Sequence, residues 1–136
     1  MTDDDLLPLL RTRYPALLDD PALREIACLP GWLDLLNELC KTLALYLREH
    51  PEIEPLKVVR IKEKWGGLRF HYNGGDDLCR RTVDAAQNSS LTICEICGAA
   101  GLLGGLRYLT VRCSLHAELP PDEDPEGESG YTFIQE

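Results

Sequence analysis

Two short pairs of residues limit what this chain can become more than any other feature: Cys94-Glu95-Ile96-Cys97 and, after fifteen intervening residues, Cys113-Ser114-Leu115-His116. The two-residue gap inside each pair lets both side chains turn toward a single ion. The stretch between the pairs suffices for a short hairpin that returns the second to the first. A CxxC followed at this distance by CxxH has the spacing of zinc ribbons and knuckles. Gly98, directly after the first pair, suits a knuckle in which backbone N–H groups face the thiolate sulfurs. One Zn2+ held by Cys94, Cys97, Cys113 and His116 is therefore expected. Four protein donors close a tetrahedral site, which fits a structural ion, whereas catalytic zinc keeps a position open for water. His116-Ala117-Glu118 matches the H-x-E of zinc deaminases, but there it precedes P-C-x-x-C, and here it follows the CxxC with no proline before Cys94.

Six cysteines behind an acidic start, Met1-Thr2-Asp3-Asp4-Asp5, do not suggest a secretory leader, which would be basic. A reducing, cytoplasmic setting is expected, where thiols bind metal or stay free. Cys28, Cys40 and Cys79 lie outside the paired set and read as buried small hydrophobes. No apolar run nears the ~18–20 residues of a membrane span.

Periodicity divides the 136 residues into one α+β domain, in which N-terminal helices pack on a small antiparallel sheet beside a zinc-ribbon-like Cys3His hairpin. Residues 1–55 form the helical part. Leu6, Leu7, Leu9 and Leu10 make an apolar turn interrupted by Pro8, and Asp20-Pro21 predicts a short helix through Cys28. Trp32, Leu35, Leu36, Leu39, Leu43, Tyr46 and Leu47 recur at helical steps until Pro51. Residues 56–92 carry a hairpin and a helix. Arg60, Lys62 and Lys64 alternate with Val59, Ile61 and Trp65, and Gly66-Gly67 reads as the turn. Leu68, Phe70 and Tyr72 alternate with Arg69 and His71 on the return. Asp76 or Asp77 can cap a helix to about Asn88, with Leu78, Thr82, Val83, Ala85 and Ala86 as its apolar side. The zinc unit occupies 93–117, with a strand expected over 106–112. An acidic loop (118–130) and a strand (131–136) complete the chain.

The formal charge of −9 is unevenly placed. Residues 1–56 carry 5 basic and 11 acidic side chains, residues 57–116 carry 9 and 5, and residues 117–136 carry 7 acidic and no basic ones. The acidic groups Asp3, Asp4, Asp5, Asp19, Asp20, Asp122, Glu123, Asp124, Glu126 and Glu128 could meet a partner with a basic surface, such as the substrate groove of a nuclease. Arg60, Lys62, Lys64 and Arg69 form a basic stripe near aromatics, the pattern of a nucleic-acid surface. The flanking acidic segments oppose such a ligand, so nucleic acid is the second choice. No G-x-S-x-G, phosphate-binding glycine loop or HExxH occurs, and a non-enzymatic role is expected.

Ile61-Lys62-Glu63-Lys64-Trp65-Gly66-Gly67-Leu68-Arg69-Phe70-His71-Tyr72, a helix, and then the CxxCG and CxxH pairs together resemble a widespread set of small bacterial and phage zinc-knuckle proteins. Many of these also carry a GW-x-DL helix start, here Gly31-Trp32-Leu33-Asp34-Leu35. The resemblance covers roughly residues 31–117 and stops before the acidic tail. Such proteins are similar to immunity proteins found beside polymorphic or secreted toxins. The resemblance thus implies neutralisation of a cognate toxin by direct protein contact. A zinc-ribbon nucleic-acid-binding or phage-associated regulatory protein is the alternative.

Overall fold

The computed structural model describes residues 5–105 and 109–117. The expected acidic loop and C-terminal strand lie outside that range, as do Asp3, Asp4, Asp122, Glu123, Asp124, Glu126 and Glu128.

Helix α1 (Leu6–Arg13) contains Pro8 without being broken by it. Proline there falls in the first turn, where an N–H has no intrahelical acceptor to lose. After Tyr14 comes the short helix α2 (Pro15–Leu18). Arg11 then fastens the following loop, donating from Nε to the Leu18 carbonyl (2.6 Å) and from Nη2 to that of Leu23 (2.7 Å).

The helix expected from Asp20 to Cys28 does not form. Asp20 Oδ1 instead accepts from the Ala22 N–H at 2.8 Å, a local turn that competes with a helix start. The chain then runs into a two-residue strand, β1 (Ile26–Ala27).

A single turn over Pro30–Trp32 leads into α3 (Leu33–Glu49), whose expected periodicity is realised: Leu36, Leu39, Cys40 and Leu43 are buried. Strands β2 (Lys57–Lys64) and β3 (Gly67–Asn73) pair antiparallel, and β1 joins β2 in parallel. The sheet, ordered β1-β2-β3, is therefore mixed. A parallel pair needs a crossover, and α3 supplies it.

Two details of the hairpin differ from expectation. A register irregularity between Val58 and Arg60 shifts the alternation, so Val58 rather than Val59 shares the buried face with Ile61. The turn is Trp65-Gly66, with φ of 54° and 86°, while Gly67 already pairs with Lys64. Positive φ at both central residues is what a two-residue hairpin of the primed type requires.

Helix α4 (Asp77–Ser90) begins at Asp76, whose Oδ1 accepts the Cys79 N–H. Its buried seam is Cys79, Val83, Ala86 and Ser90. Leu78 and Ala85, expected on that side, are exposed. The helix covers the free edge of β3: Ser90 Oγ accepts the Leu68 N–H (2.9 Å) and Gln87 Oε1 that of Phe70 (2.9 Å). An otherwise open row of donors is thereby closed. A small second sheet of β4 (Leu102–Gly104) and β5 (Thr110–Arg112) completes the described chain.

Candidate metal centre

The four paired residues converge. One ligand atom from each of Cys94, Cys97, Cys113 and His116 lies within 4.8 Å of all the others, and together they could hold one metal ion. Sγ of Cys97 and Cys113 are 3.7 Å apart. His116 turns Nδ1 toward the thiols, 3.6 Å from Cys94 Sγ and 3.2 Å from Cys113 Sγ.

Local backbone geometry builds this arrangement. The Gly98 N–H donates to the Cys94 carbonyl (2.8 Å), rolling the first pair into a turn that ends at φ 85°, a conformation open to glycine. The His116 N–H closes the second turn on the Cys113 carbonyl at 3.1 Å. Burial raises the Cys94 thiol pKa. Backbone N–H groups of Cys97, Cys113 and Ile96, with the His116 ring, outweigh that effect and bring it down to about 6. At Cys97 the Ala99 N–H pulls downward, but burial and the neighbouring Cys113 and Cys94 sulfurs push the thiol above its ordinary value. Crowded thiols of this kind cannot all ionise together unless a cation joins them.

A buried ion pair ties the two knuckles together. Glu95, inside the CxxC, meets Arg112, just ahead of Cys113, with Oε2 and Nη2 3.5 Å apart and both side chains under 5 % exposed. The Glu95 N–H also donates to the Val111 carbonyl at 3.0 Å. Neither charged residue was singled out from the sequence. A lone Glu within CxxC and a lone Arg near the second pair carry no periodic or spacing signal.

Two distant segments brace the centre. At Gly31 an added Cβ would stand 2.3 Å from the Cys94 carbonyl oxygen, and the Gly31 N–H donates to the Glu95 carbonyl at 2.8 Å. Its neighbour Trp32, fully buried, donates from Nε1 to the Ile93 carbonyl at 3.0 Å. On the other side, the tip of the β2–β3 hairpin abuts the second sheet: a Cβ on Gly66 would meet the Leu103 side chain at 2.3 Å. The GW and KEKWGGLRF segments therefore both end against the metal unit.

The remaining candidates fall into separate places. Asp5 is the residue preceding α1. Asp19 pairs with Lys57 at 3.0 Å at the surface, and Asp20 accepts from the Ala22 N–H in its local turn. The basic residues share one sheet face, since Arg60 lies opposite His71 and Lys62 opposite Arg69, with Lys64 next along β2. His71 feels all four cations: burial lowers its pKa first, then Arg60, Arg69, Lys62 and Lys64. Cys28, Cys40 and Cys79 are buried and outside any disulfide, and burial raises the Cys40 thiol to about 12, leaving it inert at neutral pH.

No protein-family model matches the chain, and neither a curated protein nor a solved structure does. No helix among the described residues is long and apolar enough to cross a membrane.

Proposed function

We propose that the chain is a zinc-stapled, non-enzymatic binding protein that neutralises a partner toxin by direct contact, in the manner of an immunity protein acting in the cytoplasm. The carrying observation is what the metal unit holds out to solvent. Of the six large apolar side chains exposed among the described residues, four (Leu102, Leu103, Leu109 and Leu115) belong to this unit and two (Leu45 and Leu78) to helices, with Leu102 and Leu115 the most exposed at 82 % and 86 %. Apolar groups displayed on a stapled, braced hairpin suit a protein interface. The acidic chain, at −9, complements a partner with a basic surface such as a nuclease.

Zinc is the ion the donors favour. A tetrahedron with Zn–S near 2.3 Å and Zn–N near 2.05 Å has S···S and S···N edges of about 3.8 and 3.6 Å. The observed 3.7 Å and 3.6 Å match these, and 3.2 Å falls short at one edge. Three thiols and one imidazole form a soft donor set that selects zinc over magnesium or calcium. Bound there, zinc supplies a neutralising crosslink between the knuckles.

The test is co-expression with the product of the neighbouring gene. Rescue of the host and a one-to-one complex are expected, with Leu102→Asp/Leu115→Asp weakening the complex at least tenfold while the unfolding midpoint holds. Absence of both complex and rescue would overturn the proposal.

A further inference from the structure

We propose that Cys97 is a site of reversible oxidation, at which peroxide joins it to Cys113 as a disulfide and the metal is released. The inference rests on the zinc reading of the centre and is independent of toxin binding.

Exposure singles out Cys97. Of the six cysteines in the chain it alone is exposed, and the other five are buried. Gly98, Ala99 and Ala100, which follow it, are exposed as well and carry little side chain to screen it. Oxidation of a cysteine follows its exposure and its thiolate character. A sulfur that serves as a zinc ligand is held as the thiolate.

Geometry supplies the second sulfur. Cys113 Sγ lies 3.7 Å from Cys97 Sγ, and an approach of the two knuckles to the ~2.05 Å of an S–S bond joins them. Cys94 is the poorer partner, because it is fully buried and its sulfur is held by the N–H groups of Cys97, Cys113 and Ile96. Cys28, Cys40 and Cys79 are buried outside the four-residue cluster.

The chemistry is a two-electron oxidation. The Cys97 sulfur attacks one oxygen of hydrogen peroxide, the O–O bond breaks, hydroxide leaves, and Cys97 becomes a sulfenic acid. The Cys113 sulfur then attacks that sulfur, forming the S–S bond and displacing a second hydroxide. Two thiolates are oxidised, one peroxide is reduced, and two protons from solvent turn the hydroxides into water. Cys94 and His116 alone remain as donors, too few to close a tetrahedral zinc site. The disulfide still ties the two knuckles, so a covalent link takes the place of the ionic one.

The full chain, loaded with zinc and with its metal content measured first, is treated with hydrogen peroxide beside a colorimetric zinc indicator. One zinc per chain should be released. Non-reducing peptide mapping by mass spectrometry should find Cys97 joined to Cys113, with Cys28, Cys40 and Cys79 unmodified. Dithiothreitol followed by added zinc should restore the loaded protein. Cys97→His keeps four donors and should slow release at least tenfold; if that variant does not load zinc, the map of the unsubstituted chain decides. Zinc retained by the loaded chain in excess peroxide, a disulfide between Cys94 and Cys97, sulfonic acid as the main product, or equal release from Cys97→His would each overturn the proposal. A chain that carries no zinc before oxidation overturns the zinc reading, and this inference with it.

Discussion

Gly31 and Trp32 show how much a single residue can decide in this chain. From the sequence, Trp32 is the first member of a helical apolar face, and it is indeed buried against that core. Its indole N–H, however, is spent on the Ile93 carbonyl, sixty-one residues away, at the entrance to the first knuckle. Gly31 beside it lets the two backbones approach closer than any side chain would permit. Trp32→Phe keeps the apolar bulk but deprives that carbonyl of its donor. The loss is expected to cost ~1–3 kcal/mol, read from urea denaturation of the metal-loaded protein. A change below a few tenths would mean that the tie between core and metal unit lies elsewhere. The Glu95–Arg112 pair is likewise invisible to pattern reading, because its meaning depends on two knuckles meeting in space.

Elements differ in how plainly they are written in the chain. Helix α3 is legible because seventeen residues repeat one period with a buried stripe. Strand β1 is not: two residues cannot display a period, and its parallel pairing depends on the crossover that follows. In β2 the irregularity after Val58 exchanges the faces partway along, which simple alternation cannot foresee. The seam of α4 is misjudged for another reason. It includes Ser90, a polar residue that is buried because its hydroxyl serves the edge of β3 and itself donates to the Gln87 carbonyl.

The sequence leaves the start of α4 to Asp76 or Asp77; the structure places the cap at Asp76, and that cap carries a pH dependence. The Tyr46 hydroxyl donates to Asp76 Oδ2 at 2.6 Å. That bond, followed by the Cys79 N–H, holds the Asp76 carboxyl below the usual carboxylate range. The same bond raises Tyr46 to about 12. A depressed folded value means that Asp76 contributes its full stability above the unfolded value near ~3.9. The contribution is lost as pH falls through the lower folded value. Carboxyl NMR titration of Asp76 should therefore show a midpoint below that of a free aspartate, moving upward in Tyr46→Phe. An unshifted midpoint in both proteins would remove the cap's role in acid sensitivity.

At the scale of the whole molecule, three separated stretches of sequence converge on one small unit. The 30–32 turn grips the first knuckle, the Trp65-Gly66 tip presses on the second sheet, and the four donors close the centre between them. The cluster of four donors is legible because the spacing of paired Cys and His is a local property of the chain. The bracing is not, since it depends on backbone approaches across thirty to sixty residues. Within the described chain, Asp19 pairs with Lys57 and Asp20 accepts from the Ala22 N–H, while Arg60, Lys62, Lys64 and Arg69 share one face of the sheet.

An ion held by Cys94, Cys97, Cys113 and His116 would tie the two knuckles together, and its binding free energy would become folding free energy there. X-ray absorption of the purified chain, with its metal content, tests that claim most directly. The account predicts one zinc per chain, with three sulfur neighbours near 2.3 Å and one nitrogen near 2.0–2.1 Å. Substoichiometric metal, or a shell of oxygen and nitrogen without sulfur, would contradict it.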